Sequence, residues 1–189
     1  MITHHYDAIV VGARCAGSPT ATLLARKGYK VLVVDRTTFS SDTISTHLVH
    51  PPGVAALKRW DLLDRLVASG CPPIDTYAFD FGAITISGAP GTAEAPVAYS
   101  PRRTVLDKLL VDAALEAGAE VREGFIVEDI LIQDGRVIGL RGHGKGGQRV
   151  TEQYQQRMEE YEHAATLLNN RCSMVVPCQS PFIPMIRLS

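Results

Sequence analysis

Asp7-Ala8-Ile9-Val10-Val11-Gly12-Ala13-Arg14-Cys15-Ala16-Gly17, together with Lys30-Val31-Leu32-Val33-Val34-Asp35-Arg36, is the stretch on which the fold turns. A short apolar, β-branched run that stops at glycine suits a strand buried on both faces of a parallel sheet. From Ala16 to Lys27 small and apolar residues dominate (Ala21, Leu23, Leu24, Ala25), and Gly28 closes the segment as a helix C-cap does. The second run is again apolar and ends in Asp35-Arg36. Strand, helix and strand within about 30 residues make a βαβ unit, whose crossover is right-handed. The predicted fold class is therefore α/β.

Between the first strand and its helix stands Gly12-Ala13-Arg14-Cys15-Ala16-Gly17, and Asp35 lies eighteen residues beyond Gly17. A dinucleotide fold needs a tight turn off the strand, which Gly12 supplies, and a helix that starts close to the strand, which Gly17 permits. The exposed N–H groups and dipole of the helix start attract a pyrophosphate. An acid ending the second strand accepts hydrogen bonds from the adenosine ribose, and Asp35 stands there. Arg14 occupies the place of the middle glycine. A side chain there costs clearance but adds a cation beside the anion. The plainer reading is a glycine-rich turn in an unrelated α/β protein; strand, turn, helix, strand and acid in one register favour the nucleotide.

Outward from this unit, a Ser/Thr-rich loop (37–46) leads to Pro51-Pro52-Gly53, which starts a helix carrying Val54, Leu57, Trp60, Leu62, Leu63 and Leu66 and ending at Gly70. Residues 74–100 alternate and are rich in Gly, Pro, Thr and Ile, predicting an inserted antiparallel excursion of two or three strands. Thr104 to Ala117 predicts an amphipathic helix with Val105, Leu106, Leu109, Leu110, Ala113 and Ala114 on one face. Ala119 to Arg122 returns to the parallel sheet. Phe125–Ile132 and Val137–Arg141 then flank the hairpin signal Asp134-Gly135.

The 189 residues are 46% apolar and 21% charged, with a formal net charge of −1. That suits a soluble globular protein and excludes a strongly basic nucleic-acid binder and an acidic disordered chain. No run approaches the ~18 apolar residues of a membrane span. The N-terminus has no cationic region leading into an apolar stretch, so it does not read as a secretion signal, and His4 and His5 read as a disordered lead-in. The four cysteines lack metal-site spacing, and the expected compartment is cytoplasmic. All 16 glycines lie between Gly12 and Gly147. This break predicts a nucleotide-binding body over 1–148 and an atypical tail over 149–189. In the tail, Thr151 to Asn170 reads as a polar helix striped by Tyr154, Met158, Tyr161, Ala165 and Leu168. A short apolar run, Ser173-Met174-Val175-Val176, and a Pro-broken end follow.

Residues 7–36 resemble the start of FAD-dependent monooxygenases of the aromatic hydroxylase and geranylgeranyl reductase type, including the Gly-Ala-Arg-Cys-Ala-Gly form of the turn. Two later blocks resemble the same family in the same order: Gly53-Val54-Ala55-Ala56-Leu57-Lys58-Arg59-Trp60-Asp61-Leu62-Leu63, and Arg103-Thr104-Val105-Leu106-Asp107 with Ala117-Gly118-Ala119-Glu120-Val121 closing that helix. The resemblance implies the N-terminal part of a Rossmann-like FAD-binding fold of glutathione-reductase type. It implies that Gly12, Ala13, Arg14, Ala16 and Gly17 wrap the FAD pyrophosphate. Asp35, where such enzymes usually have Glu, would meet the ribose, and Arg36 would lie beside the adenosine. Arg103 would reach the phosphate or ribityl region, and Val127 would set its backbone against adenine. His47 and His50 fall in a segment that passes near the flavin in the family, although a loop histidine is more often simply solvated. Family members reduce FAD with NADH or NADPH and use oxygen to hydroxylate or epoxidise a small organic substrate; relatives reduce isoprenoid double bonds.

The resemblance ends near residue 145. The family continues with a buried strand and a Gly-Ala-Asp-Gly or Gly-Asp motif, and nothing after Arg149 matches it. Such a truncated or frame-altered form would leave Ala8–Val11 as an open apolar edge, inviting self-association. Alternatively, Ser173–Val176 docks there as a substitute strand, or a separate chain supplies the missing half. Two functional readings stay open: a flavin-dependent oxidoreductase, and a non-catalytic FAD- or nucleotide-binding or interaction module.

Overall fold

The computed structural model describes residues 4–147, 149–154 and 174–175. In chain order these form β1 (His4–Tyr6), β2 (Ala8–Val11), α1 (Gly17–Arg26) and β3 (Val31–Asp35). Then come α2 (Pro51–Arg59), α3 (Leu63–Ala68), β4 (Pro73–Ile74), β5 (Tyr77–Asp80), β6 (Thr85–Gly88) and β7 (Ala98–Tyr99). Finally come α4 (Arg103–Glu116), β8 (Glu120–Glu123), β9 (Ile126–Gln133), β10 (Arg136–His143), β11 (Arg149–Tyr154) and β12 (Met174–Val175). The chain divides into two compact units, one made of Met1–Phe39 with Leu110–Ser189 and the other of Ser40–Leu109.

The first unit is built on the sheet β12-β2-β3-β8, in which β2, β3 and β8 run parallel. Side chains of a strand alternate between faces, and β3 shows how that creates layers here. Val31 and Val33, with Val10 of β2, pack on Ala21 of α1 and on Val111 and Ala114 of α4. Leu32 and Val34, with Ile9, face the other way and pack on Tyr6, Phe125 and Leu140. Tyr6 and Leu140 belong to a second sheet, ordered β1-β11-β10-β9. The result is helices, parallel sheet and antiparallel sheet in three layers. Each fully buried Val or Leu contributes about 1.5–3 kcal/mol of transfer free energy before chain entropy is counted. All of β3 is buried, which is why its sequence is a continuous apolar run and not an alternating one.

Two sequence expectations are corrected by the strand pairing. His4 and His5 are not a disordered lead-in: β1 pairs parallel with β11, His4 opposite Glu152 and Tyr6 opposite Tyr154. The buried Tyr6 ring anchors it. The polar helix read from Thr151 does not form over its first residues, because Arg149–Tyr154 is a strand paired antiparallel with β10. The sheet thus runs through the composition break, and the rest of the expected helix lies outside the described residues. At the outer edge of β2, Met174 pairs with Val11 and Val175 with Val10, antiparallel, the pairing expected of the substitute strand.

Burying β11 brings a charge inside, since Glu152 is fully buried. Arg122 of β8 answers it with a hydrogen bond from Nη1 to Glu152 Oε1. The same guanidinium donates to Glu120 Oε1 at 2.7 Å and to the Tyr6 hydroxyl at 2.8 Å, while that hydroxyl donates to Glu120 Oε2 at 2.7 Å. A buried charge needs such pairing.

In the second unit, the single helix expected from Pro51 to Gly70 is two. The break falls at Asp61, whose φ of 62° is left-handed, where the Leu62 N–H bonds back to the Leu57 carbonyl at 2.9 Å. Leu57, Leu62 and Leu66 are buried. The excursion that follows is a pair of two-stranded antiparallel ribbons, β4 with β7 and β5 with β6. Among the described residues, no helix is long and apolar enough to cross a membrane.

Candidate nucleotide site

The candidate site begins where β2 ends. The Gly12 N–H donates to the Val34 carbonyl at 2.8 Å, extending the parallel ladder by one bond. Gly12 then turns the chain with φ at 99°, a value side chains rarely tolerate, and a Cβ there would point into open space. Gly17 opens α1 against the same turn. A Cβ on Gly17 would overlap the Gly12 carbonyl oxygen, 2.9 Å from its carbon and 3.1 Å from Val10 Cγ1. Glycine is needed at both ends of the turn, for different reasons.

The start of α1 carries neither a side-chain cap, its N-cap being Ala16, nor an acid in its first turn. The positive end of the helix dipole is therefore not answered by a carboxylate of its own first turn. Two hydroxyls fix the backbone behind it: Ser18 Oγ donates to the Ala13 carbonyl at 2.7 Å, and Thr20 Oγ1 to the Ala16 carbonyl at 2.8 Å.

Asp35 does more in this turn than its sequence position suggested. Its Oδ2 accepts the Ala13 N–H at 2.7 Å and its Oδ1 accepts the Thr37 N–H at 2.7 Å, with the residue only 8% exposed. A carboxylate offers about four lone-pair positions, so two such bonds leave acceptor capacity. Arg36 follows and is exposed. Arg14 is half-buried, and its guanidinium carbon lies 5.5 Å from the centroid of the Phe39 ring. Phe39 was missed in the sequence; its only signal was an aromatic residue at the head of a Ser/Thr-rich loop.

The remaining predicted residues sit elsewhere. Val127 is in β9, in register with Gly142, and packs against the Tyr6–Leu140 cluster. Arg103 belongs to the second unit, where it opens α4 and grips Asp107. Its Nε and Nη2 donate to the two carboxylate oxygens at 3.0 Å each, with the side chains 15% and 1% exposed. Its neighbour Arg102 pairs with Asp42 and holds that carboxyl below its usual pKa. His50 Nδ1 meets the Tyr77 hydroxyl at 3.0 Å. His47 has φ at 58°, and its Nε2 is buried without a hydrogen-bond partner among the described residues.

Comparison with known proteins places the chain in a family and a fold. Residues 5–155 match the family described as FAD binding domain. Protein FixC of Salmonella typhi is 32% identical over 151 residues, covering 74% of this chain and 33% of that protein. The chain thus spans about a third of the length of the curated relatives it matches. Among solved structures, the myxobacterial chondrochloren halogenase CndH, described as a variant of FAD-dependent halogenases, superposes with a TM-score of 0.74 at 23% identity over 80% of this chain and 36% of its own. The p-nitrophenol 4-monooxygenase PnpA of Pseudomonas putida gives 0.69 at 22% identity, over 82% and 40%.

Proposed function

The chain belongs to the FAD binding domain family, and from that premise we propose that its Gly12–Gly17 turn binds the diphosphate of FAD for a flavin-dependent oxidation of a small organic molecule. The observation that carries this reading is the turn itself: a left-handed Gly12, a Gly17 packed onto the Gly12 carbonyl, and an uncapped, acid-free helix start between them. This is a cradle for a group with negative charge and no room for a side chain.

The residues divide the cofactor between them. The backbone of Gly12 to Gly17 and the charge of Arg14 hold the diphosphate. Asp35, with acceptor positions to spare, takes ribose hydroxyls, and Arg36 lies beside the adenosine. The Val127 backbone borders the adenine. When bound, FAD would supply redox chemistry, with NADH or NADPH as reductant and oxygen as oxidant. Similarity to proteins such as a flavin-dependent halogenase of Armillaria mellea supports oxidative chemistry of this kind.

The test is direct. The purified chain is reconstituted with FAD, its flavin absorbance is recorded, and NADH or NADPH is added. Retained yellow colour that either nucleotide bleaches, with oxygen uptake, supports the reading in full. Retained colour that neither bleaches limits it to a FAD-binding module. Folded protein that retains no flavin contradicts it.

A further inference from the structure

Arg14 stands where the dinucleotide fingerprint has its middle glycine, a position usually kept bare so that backbone can approach the phosphates. The structure shows where the extra side chain goes. Its guanidinium carbon is 5.5 Å from the centre of the Phe39 ring, within the range of a cation–π contact. Phe39 is itself held firmly. Its ring packs against the core cluster of Val10, Ala13 and Ala21, and its N–H donates to Glu123 Oε2 at 3.0 Å. Thr37, two residues before it, is tied down at both ends of its peptide: its N–H bonds to Asp35, and its carbonyl accepts the Gly124 N–H at 3.1 Å.

We infer that Phe39 is the positioning residue for Arg14: its ring draws the guanidinium off the turn, keeping the Gly12–Gly17 backbone clear while fixing one side-chain positive charge beside the diphosphate. This rests on the diphosphate reading above. It explains how a non-glycine residue is tolerated at that place, because the ring face offers the long side chain a defined position. It also makes FAD affinity depend on a charge that salt screens, in addition to helix-terminal N–H groups that are less exposed to salt.

The experiment is a FAD titration of the full chain at low and high ionic strength. The variants are Arg14→Gly, Phe39→Leu, Phe39→Tyr and the double variant Arg14→Gly/Phe39→Leu. Leucine keeps apolar bulk against the core but has no ring quadrupole; tyrosine keeps the ring. Phe39→Leu is expected to weaken FAD binding about fivefold at low salt, the factor that corresponds to one exposed cation–π contact. Phe39→Tyr is expected to bind as the unsubstituted chain does. Arg14→Gly is expected to flatten the salt dependence, and in that background Phe39→Leu is expected to change the affinity by less than about twofold. Equal losses from Phe39→Leu in both backgrounds would overturn the inference and leave Phe39 a core residue only, as would no loss in either. An unsubstituted chain that binds no FAD overturns the diphosphate reading itself, a result distinct from any pattern among the variants.

Discussion

The Asp35 carboxylate accepts the backbone N–H of Ala13 at 2.7 Å, fastening the end of β3 to the turn that follows β2. Its second oxygen takes the Thr37 N–H. The acid at the strand end is therefore part of the turn's construction before any ribose is considered. A glutamate, one methylene longer, would set its oxygens further from the strand end; the aspartate keeps them on the adjoining backbone.

Asp35→Ala leaves the buried Ala13 N–H and the Thr37 N–H without their acceptor. The expected loss is about 1–3 kcal/mol of folding stability and a similar loss of FAD affinity. Urea unfolding and FAD titration of the same samples measure both. Unchanged FAD affinity would remove Asp35 from the site.

Gly17→Ala puts a methyl group into the Gly12 carbonyl. Overpacking of this kind costs about 1–3 kcal/mol or more, because backbone has to move, and FAD binding is expected to fall below detection. Gly28→Ala is the control: its φ of 84° is strained for alanine, but a Cβ there meets nothing. It is expected to cost about 1–2 kcal/mol and to leave the FAD affinity of the folded protein unchanged.

The parallel unit was legible in the sequence because its signals are local. Val31 to Val34 are apolar in succession since both faces of β3 are buried, and Gly12 and Gly17 are glycines for reasons that act within six residues. What escaped reading depends on distant partners. His4–Tyr6 is a strand only because Glu152–Tyr154 lies beside it, and Glu152 can be buried only because Arg122 reaches it. Neither fact is written in the polar stretch around Thr151. Asp61 broke a helix that periodicity alone would have continued, because the Leu62 N–H returns to Leu57. Arg14 read as an obstruction in the turn, and the aromatic ring 5.5 Å from its guanidinium carbon belongs to Phe39, twenty-five residues away.

Arg103 and Asp107 form a nearly buried two-pronged pair within the first turns of α4. Removing one partner of such a pair costs about 3–5 kcal/mol, because the other charge stays behind unpaired. Asp107→Ala is expected to lose that much by thermal or urea unfolding. The double variant Arg103→Ala/Asp107→Ala is expected to lose less than the sum of the two single losses. Strict additivity would show that the pair is not coupled.

Tyr6 carries a pH dependence of stability. Burial first, and then its hydrogen bond to Glu120, raise the pKa of its hydroxyl well above the ordinary value of 10.0. The folded chain therefore holds this proton more tightly than the unfolded chain. The contribution is complete below about pH 10 and is lost as pH rises beyond it, where the unfolded chain ionises first. Tyr6→Phe is expected to lose about 1 kcal/mol at neutral pH and to show a shallower fall in urea midpoint above pH 10. Parallel alkaline limbs for the two proteins would contradict this.

Whether the Gly12–Gly17 turn holds a diphosphate is decided by comparing FAD with riboflavin, which has the same ring system and no phosphate. Titration of the folded chain is predicted to show saturable binding of FAD, competition by ADP, and no competition by riboflavin at equal concentrations. Equal binding of FAD and riboflavin, or no binding of FAD by protein that is demonstrably folded, would contradict it.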